Sequence, residues 1–351
     1  RDRSVSRGLG DVYKRQTMTL PIHRLFISAV RLYARCTRPG CVPTTTIGTN
    51  SIANSKRRGS VKPLKTINLS RTHLNVKADM IKYIVILLDD TSTSFCHYAN
   101  DKTVRRPMPL QTLKDGIRYA MKENLNIQFV YPEYALPEEY LEVIDSIDHT
   151  DIKPFGVSNK IGSTTLCGSD IVVFNTLEEA VDSQLRSDTT YVVRTDKACL
   201  FAGCDALGTI LGKVARLNVV ITDVQTFTED DFESYKSLLG RLSEKVERLY
   251  VSGRSPQLNL LTDRLLLDQM NNCGAGETTI TLAPDGRFYV CPAFYQSAEG
   301  YAVGDLEHGL DIKNQQLYRL DHAPICRNCD AWQCRRCAVS YTHLTLPTIL
   351  R

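Results

Sequence analysis

The sequence lacks any run of about 18 consecutive apolar residues, the length that a membrane-spanning helix requires. It also lacks a phosphate-binding glycine loop, an HExxH pair and a GxSxG turn, so three common enzyme classes have no support. Its composition of 42% hydrophobic and 23% charged residues excludes collagen-like, coiled-coil and wholly disordered chains. The 351 residues fit one large or two modest globular domains.

The two ends of the sequence resemble translated sequencing adapters rather than protein. Residues 6–16 read SRGLGDVYKRQ, which is the translation of a common library transposase adapter. Residues 339–348 read VSYTHLTLPT, the translation of its partner in the opposite orientation. We therefore interpret residues 1–16 and 338–351 as adapter-derived, and we expect the natural protein to continue past Cys337.

Residues 17–79 show no sustained helical or alternating period and are rich in Lys and Arg. A basic, acid-poor arm is typical of a targeting segment. We favour the alternative of upstream DNA translated in frame, or a disordered basic segment, with Met80 as the true start. A chain that begins at Met80 carries no secretory signal, so we expect a cytoplasmic protein.

The net charge changes sign once these segments are set aside. The full chain has a formal charge of +4, whereas residues 80–337 carry 26 basic and 36 acidic side chains. A net charge of −10 removes the electrostatic case for nucleic acid. We therefore expect neither a nucleic-acid nor a membrane partner.

Strand-like and helix-like stretches alternate from residue 81 to residue 261. Strands are predicted at 81–88, 126–131, 171–175, 191–194, 219–223 and 249–251, and helices at 110–123, 137–147, 177–185, 207–217 and 230–249. Such units require a mostly parallel sheet with right-handed crossovers. We predict an α/β domain over residues 80–265, either a partial (β/α) barrel or an open parallel sheet, followed by a small cysteine-rich metal domain at 266–337.

Half of the chain's 12 cysteines lie near its C-terminal end. They are Cys273, Cys291, Cys326, Cys329, Cys334 and Cys337. The last four form two CxxC pairs in CRNCDAWQCRRC, and two such pairs supply four soft sulfur ligands for one metal site. Without a secretory signal, this pattern favours zinc or an iron–sulfur cluster over disulfides. The four-residue gap between the pairs is short for a zinc ribbon.

The order of CGAG at 273–276, Gly286, Cys291 and the clustered CxxC pairs resembles the SPASM domain, which follows radical SAM peptide-modifying enzymes and holds auxiliary 4Fe–4S clusters. GDLEHG at 304–309 fits the glycine-led segment of that domain. The spacing after the first CxxC is four and then two residues, where the family has five and three. The resemblance implies one cluster on Cys273, Cys291 and Cys337 and another on Cys326, Cys329 and Cys334.

A radical SAM enzyme carries CxxxCxxC just after its first strand, and residues 92–99 occupy that place here. Cys96 matches the middle ligand and Tyr98 the aromatic position, so the resemblance makes Cys96 a remnant of the cluster loop. Ser92 and Ala99 stand where the other two cysteines belong. Because one thiolate cannot hold a cluster with an open iron, the sequence does not predict ordinary use of S-adenosylmethionine.

The combination of LLDDTSTSFCHY and CRNCDAWQCRRC resembles the CXXX repeat peptide maturases. This resemblance implies the maturation of a small ribosomal precursor peptide. The chain would act either as a peptide-modifying enzyme or as a non-catalytic partner of a separate maturation enzyme. A structural zinc module on an α/β domain is the third interpretation.

Three other features carry alternative interpretations. Cys96–His97 pairs a nucleophile with a base, although adjacent loop residues point in different directions. Asp89–Asp90 ends the first strand, where parallel sheets place their sites, or else belongs to an ordinary polar loop. Cys199 and Cys204 are either metal ligands or, as we expect, buried core residues.

Overall fold

The computed structural model describes residues 81–158, 170–265, 267, 273–296, 301–319, 322 and 337. The predicted adapter-derived ends, the segment 17–79, and Cys326, Cys329 and Cys334 lie outside the described residues.

One sheet of nine strands organises the described residues. The strands are β1 (Tyr83–Leu87), β2 (Asn126–Val130), β3 (Thr150–Pro154), β4 (Ile171–Phe174), β5 (Thr190–Thr195), β6 (Arg216–Ile221), β7 (Gln257–Leu258), β8 (Thr279–Leu282) and β9 (Phe288–Tyr289). Their order is β7-β6-β5-β4-β3-β2-β1-β8-β9, and each neighbouring pair is parallel except β8 and β9. The predicted α/β class is confirmed, and the sheet is consistent with a partial barrel.

Helices connect most of the parallel strands. They are α1 (Leu110–Lys122), α2 (Glu138–Asp145), α3 (Phe155–Ser158), α4 (Leu177–Asp182), α5 (Lys197–Ala202), α6 (Cys204–Leu211), α7 (Glu229–Val251) and α8 (Pro292–Gln296). Short 3₁₀ turns lie at Val224–Thr226, Thr262–Arg264 and Gln315–Tyr318, and a small hairpin pairs β10 (Gly304–Asp305) with β11 (Gly309–Leu310). No helix in this part of the chain is long and apolar enough to cross a membrane.

The predicted strand at 249–251 is wrong, because these residues form the last turn of α7. That helix begins at a capping box, in which the side chains of Thr228 and Asp231 bond each other's backbone N–H groups. It ends before Gly253, whose φ of +87° suits glycine at a helix C-terminus. The strand that follows is β7, six residues further along the chain.

The two faces of the sheet are covered by different parts of the chain. Ile84 and Ile86 of β1 point toward the side packed by helices α1 and α2, which we call the helix face. Val85 and Leu87 point to the opposite side, where Phe294 and Tyr295 of α8 cover them. We call that side the α8 face. Alternate side chains of a strand therefore pack into different cores, one on each face of the sheet.

Strand β3 interrupts the helix face with charged residues. Asp151 accepts a hydrogen bond from Nζ of Lys153 at 2.5 Å, and its other oxygen lies 3.4 Å from Nε2 of His149. The Lys153 ammonium also lies 4.5 Å from the centre of the Tyr131 ring. Burial raises the pKa of Asp151, but its contacts with His149 and Lys153 outweigh burial and lower it overall. The Asp151 carboxylate in turn raises the pKa of His149.

The raised pKa of His149 predicts a pH-dependent stability. A His whose folded pKa exceeds its unfolded value of about 6.5 stabilises the fold fully below that value and loses this contribution as pH rises through the folded pKa. The urea midpoint of the wild type should therefore fall between pH 6 and pH 8.5. We expect a smaller fall in His149→Gln, because this variant lacks the titrating imidazole. His308→Gln is the control, since His308 is exposed beside Asp305. Identical pH profiles for the wild type and His149→Gln would contradict this account.

Candidate functional site

The loop that follows β1 folds tightly onto the carboxyl end of its own strand. Oδ1 of Asp89 accepts hydrogen bonds from the backbone N and the hydroxyl of Thr91 at 2.7 and 2.5 Å. The Ser92 hydroxyl donates to the carbonyl of Val130 in β2 at 2.9 Å. The first turn of this loop is therefore fixed to two strands, with Ser92 fully buried.

Two tyrosines hold the buried carboxylates of this loop. The Tyr134 hydroxyl donates to Oδ2 of Asp89 at 2.6 Å, and the Tyr295 hydroxyl donates to Oδ1 of Asp90. Burial, and then the adjoining carboxylate, raise the pKa of both tyrosines. Arg106 lies 3.6 Å from the other Asp90 oxygen. With exposures of 0% and 5%, Asp89 and Asp90 hold the loop in place rather than face a solvent-open site.

Helix α8 is also bonded to the same loop through its last residue, Gln296. Nε2 of Gln296 donates to the carbonyl of Ser92 at 3.0 Å, and N of Asp101 donates to the carbonyl of Gln296 at 3.3 Å. Nδ2 of Asn100 closes the loop on itself by donating to the carbonyls of Asp90 and Ser92, at 2.8 and 2.9 Å. The loop and α8 thus form one hydrogen-bonded unit.

Cys96 lies in this loop, and hydrogen bonds from Ser94 and Arg194 hold the backbone around it. Ser94 donates to the carbonyl of Tyr98, and its oxygen lies 3.8 Å from Sγ of Cys96. From β5, Nε of Arg194 donates to the carbonyl of Cys96 at 3.2 Å, and its Nη2 donates to the carbonyl of Tyr98 at 3.4 Å. A side chain from across the sheet therefore sets the conformation of the loop around Cys96.

The structure gives no support to Cys96–His97 as a nucleophile and base. Burial raises the pKa of the Cys96 thiol, whereas an activated cysteine needs a lowered one. Burial and the nearby Arg194 charge lower the pKa of His97, whose ring lies 4.2 Å from that of Tyr98. Cys96 is thus a half-buried thiol beside a neutral imidazole.

The CGAG turn is shaped by its glycines. The Gly274 carbonyl accepts hydrogen bonds from the backbone N atoms of Glu277, Thr278 and Thr279, at 3.0, 2.8 and 2.9 Å. Gly276 has a φ of +76°, and a Cβ there would lie 2.8 Å from the ring of Tyr318. The turn therefore requires glycine at position 276, and it leaves Cys273 exposed immediately before it.

Two cysteines pack on the α8 face, and two more lie within electrostatic range of one of them. Cys291 directly precedes α8, and Cys291 and Cys337 pack against the same buried cluster as Tyr98. Burial raises the pKa of Cys291 well above its ordinary value, and the charges of Cys96, Cys337 and Cys273 raise it further. Of the six cysteines predicted to bind metal, Cys291 and Cys337 thus share one apolar cluster, and Cys273 lies within electrostatic range of Cys291.

These cysteines do not form a preassembled ion site. Among the described residues, no three His, Cys, Asp or Glu side chains converge closely enough to hold a metal ion. The other three predicted ligands, Cys326, Cys329 and Cys334, lie outside the described part of the chain.

Cys199 and Cys204 have different places on the helix face. Cys204 is fully buried in the core beneath α6 and α7, as expected. Cys199 is half-buried in the first turn of α5, where its backbone N donates to Asp196 at 2.7 Å. Both positions belong to the helical layer, on the side of the sheet opposite to Cys291.

The sequence pattern did not identify Arg194, Tyr295 and Gln296. These residues bond the loop that follows β1, although they lie far from it in the sequence. Tyr295 and Gln296 follow Cys291 in the sequence CPAFYQ, and Arg194 is the penultimate residue of β5, a strand of ordinary apolar pattern. A tyrosine and a glutamine four and five residues after a predicted ligand were the one local signal. Nothing in the sequence around Arg194 links it to residue 96.

Comparison with known proteins gives little further information. No protein-family model matches the chain, and no curated protein matches it. Among solved structures, the chain is similar to Streptococcus suis SuiB bound to the precursor peptide SuiA, at 12% sequence identity and a TM-score of 0.39. The match covers 71% of this chain and 66% of SuiB, so the chain spans just under two thirds of that protein.

The bond from Tyr295 to the buried Asp90 predicts a measurable role in stability. A hydrogen bond to a charged group contributes about 1.5–3 kcal/mol, and Tyr295→Phe removes this one while keeping the ring. We expect a loss of that size in the free energy of unfolding from urea titration, with faster hydrogen exchange in residues 91–101. The matched control is Tyr301→Phe, because Tyr301 is exposed. Equal stability of both variants would show that the bond does not hold the loop.

Proposed function

We propose that this chain takes part in the maturation of a ribosomally made, cysteine-repeat precursor peptide. In this proposal the C-terminal cysteines bind auxiliary 4Fe–4S clusters. The observation that carries it is the packing of Cys291 and Cys337 against one apolar cluster on the α8 face, in a chain that also contains two adjacent CxxC pairs.

The donor set supports an iron–sulfur centre. Thiolates are soft ligands that suit iron–sulfur clusters or zinc and not magnesium or calcium. Cys273, Cys291 and Cys337 would hold one cluster, and Cys326, Cys329 and Cys334 a second. When bound, such a cluster supplies a one-electron carrier whose potential depends on its charge, hydrogen bonds and exposure. Within the chain, the apolar α8-face core around Cys291 limits the access of water to that position.

The buried serine at position 92 favours a non-catalytic role. Ser92 stands where radical SAM enzymes have their first cluster cysteine, and its hydroxyl is committed to the Val130 carbonyl. Ala99, at the position of the third cysteine, has no ligand atom. Cys96 alone cannot hold a cluster that also chelates S-adenosylmethionine. The role supported best is therefore a partner that binds the precursor peptide for a separate maturation enzyme.

The test combines peptide binding with S-adenosylmethionine cleavage. Anaerobically purified protein, with dithionite and S-adenosylmethionine, is mixed with a labelled synthetic peptide carrying cysteine at every fourth position. A peptide with serine in those positions is the control. We expect the cysteine peptide to bind at least about tenfold more tightly, which corresponds to about 1.4 kcal/mol. We expect no 5′-deoxyadenosine, because the loop lacks two of the three cluster thiolates.

Each readout contradicts a different part of the proposal. Equal binding of the two peptides would overturn the cysteine-repeat substrate. Formation of 5′-deoxyadenosine above the level without protein would overturn the non-catalytic role and make the chain a peptide-modifying enzyme. Zinc as the sole metal would leave the third interpretation, a zinc module on an α/β domain.

A further inference from the structure

A short basic stretch lies beside the carboxyl end of β1. Residues 102–106 read KTVRR, and we call them the basic segment; they belong to residues 80–337, whose net charge is −10. N of Met108 donates to the carbonyl of Leu88 at 2.8 Å, which holds the chain after the segment against the end of the strand. Because parallel sheets bind their ligands at the carboxyl ends of strands, the basic segment lies where a ligand of this fold is expected.

The backbone of the basic segment is fixed at both of its ends. N of Lys102 donates to Oδ1 of Asn100 at 3.0 Å. At the other end, the carbonyl of Arg106 accepts a hydrogen bond from N of Asp90 at 3.1 Å. Residues 103–107 are nevertheless exposed. The segment is therefore an ordered surface of the protein that a partner can reach.

Two of the three cations lie over tyrosine rings. Nζ of Lys102 is 4.1 Å from the centre of the Tyr295 ring, and Cζ of Arg105 is 4.6 Å from the centre of the Tyr134 ring. Both rings are themselves held by the bonds from their hydroxyls to the buried carboxylates of the loop. A cation is attracted to the face of an aromatic ring, so these contacts restrict where the two charges lie. Charges that are already placed lose less conformational entropy when a ligand binds.

Lys102 and Arg105 make no ion pair with any residue that the structure describes. Arg106 lies 3.6 Å from Asp90, but its side chain is 73% exposed. Asp101 is the one acidic residue in the stretch 100–107. The basic segment therefore presents an excess of positive charge on a chain whose net charge is negative.

We propose that the basic segment docks an acidic stretch of the precursor peptide. This inference rests on the proposed function and names the part of the chain that recognises the peptide. Val104 is 65% exposed and lies between the cations in sequence, so the matching ligand has carboxylates on both sides of an apolar side chain. Residues 102 and 105 are separated by at most about 10 Å of backbone, which an extended peptide covers with carboxylates three or four positions apart.

A nucleic acid is the competing anionic partner. It carries a negative charge at every nucleotide along its length, and a chain with a net charge of −10 repels such a polyanion beyond the basic segment. A short acidic peptide places its few charges on the segment alone. The balance of charge therefore favours the peptide.

The first test measures the binding of a peptide that has no cysteine. A fluorescent ten-residue peptide with two glutamates on each side of a leucine is titrated with the full chain, and the same peptide with glutamines is the control. We expect the glutamate peptide to bind at least about tenfold more tightly in about 50 mM sodium chloride, and this preference to disappear in about 500 mM. Equal binding of the two peptides at low salt would overturn the inference.

The second test removes the two cations that lie over tyrosines. Lys102→Gln/Arg105→Gln leaves Arg106 in place and should lose the preference for the glutamate peptide, whereas Lys102→Arg/Arg105→Lys should keep it. Arg241→Gln/Arg248→Gln is the matched control, because it removes the same charge from the exposed surface of α7. The urea midpoint of each variant shows that it is folded. An equal loss in the control, or an unchanged preference in the first variant, would contradict docking at the basic segment.

Two further outcomes separate this inference from the proposed function. Tighter binding of a ten-nucleotide single-stranded DNA than of the glutamate peptide would overturn the peptide partner in favour of nucleic acid. Selective binding of the glutamate peptide, together with equal binding of the cysteine and serine peptides described above, would support the docking surface and overturn the cysteine-repeat substrate. Because the glutamate peptide needs neither cysteine nor metal, its failure to bind would overturn the docking surface alone.

Discussion

The burial of two adjacent carboxylates at the end of β1 is the constraint on which the rest of the site depends. A buried charge must find hydrogen-bond donors, since leaving it unpaired costs several kcal/mol. Asp89 obtains one from Tyr134, and Asp90 obtains one from Tyr295. The bond from Tyr295 attaches α8 to the loop that follows β1. As a result, Cys291, which precedes α8, comes to lie beside the loop that carries Cys96.

This arrangement makes the cysteine region continuous with the main sheet. β8 pairs in parallel with β1 from Tyr83 to Ile86, and β9 pairs antiparallel with β8. The sequence segments 80–265 and 266–337 therefore share backbone hydrogen bonds as well as a core. Cys291 is in this way connected to the first strand and its loop through paired strands and α8.

Most parallel strands could be predicted because their β-branched residues, as in Ile171–Phe174, are buried on both faces. β3 could not be predicted, because Asp151 and Lys153 interrupt its apolar run. Their burial is compensated by the ion pairs that Asp151 makes with Lys153 and His149. The cysteines that we predict as ligands were visible from their spacing. Their neighbours were not, because Arg194 and Cys96 are 98 residues apart, and Tyr295 and Asp90 are 205 apart. Contacts over such separations depend on topology, which no local pattern contains.

We propose that the C-terminal cysteines form an iron–sulfur centre. The most direct test is the iron, sulfide and zinc content of anaerobically purified protein. The account predicts iron with equimolar sulfide, and more than about four irons per chain if two clusters are present. Zinc alone, without sulfide or brown colour, would contradict it.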